Sequence, residues 1–294
     1  PRSATEMTKL LCGLIGAGIQ RSLTPAMQEE EARAQGLRLH YQLIDLDRTG
    51  QGAEALPGLI AAAKTMGFAG LNITYPCKQA VIPLLDELSD EARAMGAVNT
   101  VVFRADRHTI RAVGHNTDGS GWRWGFERAL PDADLSLVVL LGAGGAGSAI
   151  AHSVCRMRAS ALVVVDQDAR RAAELAAELG RHYAGTRVSS TTDAAQALAG
   201  ATGLIHATPT GMDKLPGMPL LASLLRRGLW VSEIVYFPLE TELLQAARAA
   251  GCRVVDGGTM AVGQAIGAFE LFTGRRADAA RVDAHFRQLI QERA

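Results

Sequence analysis

The stretch Gly142-Ala-Gly-Gly-Ala-Gly147 constrains this chain more than any other. It comes after the apolar run Leu135-Ser-Leu-Val-Val-Leu-Leu141 and precedes Ser-Ala-Ile-Ala-His-Ser-Val, which reads as the start of a helix. Strand, glycine turn and helix in that order form the opening of a βαβ unit. The first glycine makes the tight turn, the second lets backbone N–H groups approach a pyrophosphate, and the third lets helix pack on strand. The helix N-terminus then faces the anion. A glycine-rich turn of this kind also occurs for packing alone, and the strand after the helix favours the functional reading. Ala161-Leu-Val-Val-Val165 reads as a second buried strand, and Asp166 at its end lies about twenty residues on, where a carboxylate accepts hydrogen bonds from an adenine ribose.

At 294 residues the chain is long enough for two domains with real cores. Its 30 basic and 30 acidic side chains cancel and neither sign forms a long run, which argues against a nucleic-acid partner or an anionic membrane surface. Cys12, Cys77, Cys155 and Cys252 are scattered without a CxxC, so neither a zinc knuckle nor a disulfide framework is supported, and no metal is expected from the dispersed histidines. Pro1 to Lys9 has no apolar core of the signal-peptide kind and no later run reaches membrane-span length. These features predict a soluble cytoplasmic protein.

Before the glycine turn the pattern is already βαβα. Leu10 to Ile15 predicts a strand, Gly16 to Pro25 a loop, and Ala26 onward a helix ending near Gly36. Ser22 and Thr24 lie in that loop, where either serves as an N-cap with Pro25 in the first turn, or as a ligand contact. Leu39 to Asp45 predicts a second strand, and Leu59 to Met66 a helix closed by Gly67. Such alternation predicts a mostly parallel sheet.

Gly70-Leu-Asn-Ile-Thr-Tyr-Pro-Cys-Lys-Gln79 comes next. As a strand it points Asn72 and Thr74 to one face, and Pro76 stops it before Lys78. A solvated edge with a surface lysine is the plain reading. The alternative is a ligand site, because ligands of α/β proteins gather at the carboxyl ends of parallel strands.

Ser89 reads as the N-cap of a helix closed by Gly96, and Ala97 to Phe103 as a strand carrying Asn99 among apolar neighbours. After a turn near Asp106 the chain returns through Ile110 to Gly114 and reaches Asp118, either a helix-start acid or a catalytic group. Later strands are expected near Arg187 to Ser190, at Gly203 into the loop through Met212, at Leu229 to Tyr236, and at Cys252 to Asp256. Gln264 falls within an apolar helical run, where it must find either a core hydrogen bond or a ligand.

Together these segments resemble the shikimate dehydrogenase family, and more closely its quinate/shikimate dehydrogenase branch. The carriers are Ser22-Leu-Thr-Pro25, Asn72-Ile-Thr-Tyr-Pro-Cys-Lys78, Gly96-Ala-Val-Asn-Thr100, Asn116-Thr-Asp-Gly119, the Gly142 turn, Ala207-Thr-Pro-Thr-Gly-Met212, Val235-Tyr-Phe-Pro238, and Gly257-Gly-Thr-Met260 with Gln264. The resemblance covers almost the whole chain. It implies an α/β protein whose N-terminal substrate domain, 1–119, has a mostly parallel sheet. A Rossmann-type dinucleotide-binding domain, 120–257, is next, and C-terminal helices, 258–294, return to the substrate domain. It further implies reversible oxidation of the C3 hydroxyl of quinate or shikimate, with Lys78 and Asp118 as the catalytic pair. Ser22, Thr24, Asn72, Thr74, Asn99 and Gln264 would hold the polyol carboxylic acid, with Tyr236 nearby. Gly142, Ala143, Gly144, Gly145, Ala146, Asp166, Arg171, Thr208, Val235, Gly257 and Met260 would hold the cofactor. A homodimer is compatible with this reading.

Two departures from the family pattern stand out. His206 replaces the usual Asn before Ala-Thr, a change that can alter contacts near the cofactor without touching the catalytic pair. After the second strand the chain reads Asp166-Gln-Asp-Ala-Arg-Arg171 where NADP-dependent members carry an Asn-Arg-Thr type of phosphate pocket. The expected cofactor is therefore NAD, with NADP disfavoured. The alternatives are an NADP-dependent biosynthetic enzyme, a relative acting on an amino-substituted analogue, or a non-catalytic sensor of the same metabolite. Retention of both Lys78 and Asp118 argues against the sensor.

Overall fold

The computed structural model describes residues 9–106 and 109–293. The segment before Lys9, the tip of the turn after Asp106 and the last residue, Ala294, lie outside the described residues. The chain divides into two compact units, one formed by the N-terminal part up to Thr117 together with the segment from Ala265 onward, the other by Asp118–Gln264. The sequence pattern puts the borders at 119/120 and 257/258; the second falls instead inside a continuous helix.

In the first unit the chain runs β1 (Lys9–Gly16), α1 (Thr24–Ala34), β2 (Arg38–Asp45), α2 (Leu46–Thr49), α3 (Leu56–Met66), β3 (Gly70–Ile73), α4 (Cys77–Ala80), β4 (Glu87–Leu88), α5 (Asp90–Met95), β5 (Thr100–Asp106) and β6 (Thr109–His115). The sheet order is β2-β1-β3-β5-β6-β4. Every neighbouring pair is parallel except the two that involve β5, which is antiparallel to β3 and to β6. One face buries Ile15, Leu71, Ile73 and Val101 under α3 residues Leu56, Ile60 and Ala63. Ser89 caps α5, its side chain accepting from Ala92 N, and Gly96 ends that helix at φ 56°. Glycine reaches that left-handed angle without a Cβ penalty.

The second unit begins with α6 (Asp118–Ala129) and continues β7 (Val138–Leu141), α7 (Gly145–Arg156), β8 (Ala161–Val165), α8 (Ala169–His182), β9 (Arg187–Thr191), α9 (Ala194–Leu198), β10 (Gly203–His206), β11 (Trp230–Glu233), α10 (Glu242–Ala249) and β12 (Arg253–Val255). Its sheet is wholly parallel in the order β12-β11-β10-β7-β8-β9. This is the doubly wound arrangement, in which the strand order reverses at β7/β10 and ligands bind beyond the carboxyl ends there. The aromatic face of α6 fixes it to the sheet. Trp122 stacks on Phe126 at 4.8 Å, Phe126 meets the edge of Trp230 at 4.8 Å, and Trp122 Nε1 donates to Ser232 Oγ at 3.0 Å.

Helix α11 (Gly258–Thr273) carries the chain back into the first unit, which α12 (Ala279–Gln291) completes. There Arg281 donates to Glu31 of α1 through Nε at 2.7 Å and Nη2 at 2.9 Å, and Asp278 N adds a third bond at 2.9 Å. Burial pushes the Glu31 carboxyl up, but the Arg281 guanidinium and the other donors outweigh it and hold the group below its ordinary range. A depressed folded value stabilises the protein above the unfolded value of about 4.3, and the stabilisation is lost as pH falls through the folded one. Arg281→Ala leaves the buried carboxylate without its cation and lowers stability by about 2–4 kcal/mol at neutral pH. Thermal melts of both proteins check this. The gap between them narrows below about pH 4, where protonation removes the charge.

Candidate active site

The first unit gathers polar side chains at the carboxyl ends of β1 and β3. Asp45, at the end of β2, holds the loop after β1 by accepting from Gly18 N at 3.0 Å and Gln20 Nε2 at 2.9 Å. Farther along that loop, Ser22 Oγ accepts the N–H of Thr24 at 3.2 Å. The N-cap position of α1 is Leu23, which offers no side-chain cap, so Thr24 is the first helical residue and not part of the loop.

Strand β3 ends at Ile73, earlier than expected, so Thr74 lies in the turn and not on the strand face of Asn72. The reason is a contact across the sheet. Thr74 N bonds Ile15 O at 2.9 Å while its methyl packs on Gly16, where any Cβ would collide. The Tyr75–Pro76 peptide is cis, and α4 then presents Lys78, half-buried. The Lys78 carbonyl accepts from Val98 N at 2.9 Å, which ties α4 to the segment carrying Asn99. The neighbouring Cys77 is buried, and burial pushes its thiol up, away from nucleophilic use.

Asn72 and Asn99 sit in one buried network. Tyr41 Oη donates to Asn72 Oδ1 at 2.6 Å, and Asn72 Nδ2 donates to Thr100 Oγ1 at 2.9 Å and to Asn99 O at 3.2 Å. Asn99 Oδ1 accepts from Thr117 N at 2.8 Å, and its Nδ2 donates to Thr117 Oγ1 at 2.9 Å. Both amides are thus orientated before any ligand arrives. Asn99 stands just before β5 and not within it, because the strand begins at Thr100. Tyr41, Thr100 and Thr117 complete this layer, and the sequence pattern does not single them out. Period-two alternation gives the face of a strand residue but not the partner of its hydroxyl. Burial raises the Tyr41 phenol well above its ordinary value, so it stays a donor.

In the second unit Asp118 is the first residue of α6 and is buried. A cavity of about 710 Å³ lies beyond the strand ends, lined by Gly142, Gly144, Gly145, Ala146, Asp166, Arg171, Thr208 and Val235, among others. The turn glycines divide their work. Gly142 has φ 107°, and a Cβ there would stand 2.6 Å from Ala207 O. A Cβ on Gly147 would strike Gly142 O, whereas one on Gly144 would meet open space on the ligand side. Helix α7 starts at Gly145, and Gly144, Gly145 and Ala146 at its N-terminus line the cavity, the position from which first-turn N–H groups bind phosphate. These features fit a dinucleotide.

Asp166 Oδ2 accepts from Ala143 N at 2.8 Å and Oδ1 from Asp168 N at 2.9 Å, with Arg171 Nη1 at 3.8 Å. Ala143 therefore turns its N–H to Asp166. Gly257 is pressed against the Ile234–Val235 backbone and Met260 packs on the hydrophobic core, and neither is part of the cavity wall. Tyr236, expected near the substrate, lines this cavity beside Phe237, as do Met212 and Leu215. Gln264 is half-exposed, and its Nε2 donates to Ala261 O at 3.1 Å in its own helix.

The family profile of the shikimate dehydrogenase substrate binding domain matches residues 14–101. The Streptomyces avermitilis protein named shikimate dehydrogenase (NADP(+)) is 55% identical over 281 residues, covering 95% of each chain. The chain belongs to the shikimate dehydrogenase family. As a member of the shikimate dehydrogenases it is an oxidoreductase. The Corynebacterium glutamicum protein named quinate/shikimate dehydrogenase (NAD(+)) is 46% identical over 283 residues, 95% of this chain and 99% of that one. The solved structure of quinate dehydrogenase from Corynebacterium glutamicum in complex with NAD matches with a TM-score of 0.89 and 44% identity over 96% of this chain and 99% of the other. Among the described residues no helix is long and apolar enough to cross a membrane, and no cluster of three or more His, Cys, Asp or Glu could hold a metal.

Proposed function

We propose that this shikimate dehydrogenase family member is an NAD-dependent dehydrogenase of quinate and shikimate, oxidising the C3 hydroxyl to the ketone. Asp166 carries the NAD reading. Its carboxylate stands at the end of β8 against the glycine turn, where an adenosine ribose offers two hydroxyls and a 2′-phosphate would bring a like charge. The bound nicotinamide supplies the hydride acceptor. Lys78 takes the hydroxyl proton in oxidation and returns it in reduction, its ammonium stabilising charge on the oxygen. Asp118 orientates substrate and lysine. Asn72, Asn99 and Gln264 pair with ring hydroxyls, and Ser22 and Thr24 with the carboxylate. Thr74 and Tyr236 border the ring.

Arg171 beside Asp166 and the 55% identity to a relative named for NADP(+) favour a second reading, an NADP-dependent biosynthetic enzyme. Steady-state kinetics of two substrates crossed with two cofactors separate the readings.

Substrate choice rests on Thr24. Quinate carries an extra hydroxyl on the carbon bearing the carboxylate, so a site that accepts it needs space and a partner there. A threonine has a methyl group that limits χ1 and fixes where the hydroxyl points. Thr24→Ser shifts the quinate to shikimate ratio of kcat/KM toward shikimate by about 1–3 kcal/mol. An unchanged ratio removes Thr24 from selectivity, and undetectable quinate oxidation by the unmutated protein supports the biosynthetic reading.

A further inference from the structure

His206 ends β10 and Glu233 ends β11, side by side in register. Both are buried, at 0% and 1% exposure. An imidazole and a carboxylate in the interior are costly unless each polar atom finds a partner, and an apolar pair would pack there with less desolvation. Here the partners are complete. Glu233 Oε1 accepts from His206 Nδ1 at 2.8 Å, Ile234 N at 2.8 Å and Val235 N at 3.0 Å, and Oε2 accepts from Thr241 Oγ1 at 3.0 Å. Thr241 Oγ1 in turn accepts Leu244 N as the cap of α10.

Because Nδ1 donates to the carboxylate, the tautomer and tilt of the ring are set, and Nε2 meets Thr208 Oγ1 at 2.5 Å. Thr208 Oγ1 also accepts Thr210 N at 3.3 Å. Thr208, Thr210, Ile234 and Val235 all line the dinucleotide-sized cavity. Two successive loops of its wall are therefore fastened to one buried carboxylate, one directly and one through His206.

We propose that Glu233 and His206 are positioning residues for the cofactor: the carboxylate sets the Ile234–Val235 loop and, through the imidazole, the Thr208 loop, so that the cavity wall is shaped before the dinucleotide binds. This rests on reading that cavity as the nicotinamide cofactor site. Neither residue touches a reacting atom.

Two substitutions divide the chain of bonds, because an asparagine amide nitrogen falls near imidazole Nδ1 and a glutamine amide nitrogen near Nε2. His206→Asn keeps the donor to Glu233 and loses Thr208. It leaves Tm within about two degrees and raises the Kd for NADH about fivefold to tenfold, the size of one lost hydrogen bond. The KM for quinate stays unchanged. His206→Gln keeps a bond to Thr208, with the amide nitrogen now donating to Oγ1, and leaves Glu233 short of a donor. It lowers Tm by several degrees and, because Thr208 is then no longer tied to the carboxylate, raises the Kd for NADH by a similar factor. Thr208→Val raises the Kd as His206→Asn does, and combining the two adds nothing further, which keeps the test open if a His206 variant does not fold. Unchanged NADH affinity in His206→Asn and Thr208→Val overturns the proposal, as do affinity losses that simply track Tm across the set. Failure of the unmutated protein to bind NADH is a separate result, and it overturns the cofactor reading of the cavity instead.

Discussion

Lys78→Ala lowers kcat by roughly 10²–10⁴-fold, the usual contribution of a positioned proton-transfer group, with a much smaller change in substrate KM. The loss falls on kcat because the lysine interaction strengthens as the alcohol oxygen gains charge, whereas binding of the ground state is shared among several hydroxyl contacts. The surroundings of Lys78 support such a role. Helix α4 is a single turn, its Lys78 carbonyl is tied to Val98 N at 2.9 Å, and the next residue, Asn99, is locked to Thr117. Asp118→Asn keeps the shape of the acid and removes its charge, so turnover falls there too, while the fold and the start of α6 are retained. Near-normal turnover in both variants makes Lys78 a surface lysine and Asp118 a helix-start acid.

Asp166→Asn moves cofactor preference toward NADP, changing the NAD to NADP ratio of kcat/KM by about 10–100-fold. The carboxylate facing a 2′-phosphate meets a like charge, and at an effective dielectric near 20 that repulsion is on the order of 4 kcal/mol per charge pair at about 4 Å, before screening and relaxation. Arg171 at 3.8 Å offsets part of it, which is why the expected shift is below the full Coulomb figure. Both Asp166 oxygens accept backbone N–H groups, from Ala143 and from Asp168, so the substitution also loosens the turn. The ratio is the sound readout, since general damage to the turn affects both cofactors alike. A ratio unmoved by the substitution assigns the discrimination elsewhere.

Legibility in the sequence depends on physical range. The glycine turn is legible because Gly142, Gly144 and Gly147 answer to constraints within a few residues: a left-handed φ, an open approach and a close crossing. The Ser89 cap and the Gly96 stop are legible for the same reason. The antiparallel placement of β5 between β3 and β6 is not, since alternation gives the face of a strand and not its neighbours. Nor is the early end of β3, which depends on Gly16 lying against Thr74 across the sheet. In the candidate site the residue types stand out individually, but the groups that hold them do not. The Tyr41 bond to Asn72 spans 31 positions, and the His206 bond to Glu233 spans 27. Such long-range pairs leave no local pattern to read.

NAD-dependent oxidation of quinate and shikimate is tested most directly by the initial rate of reduced-nicotinamide absorbance with the purified protein, quinate and either NAD or NADP at matched concentrations. The expected result is steady growth with NAD and a kcat/KM at least about tenfold above that with NADP, equivalent to about 1.4 kcal/mol of discrimination. Equal or better performance with NADP contradicts the role given to Asp166, and no absorbance change with either cofactor, despite tight quinate binding, contradicts the catalytic roles of Lys78 and Asp118.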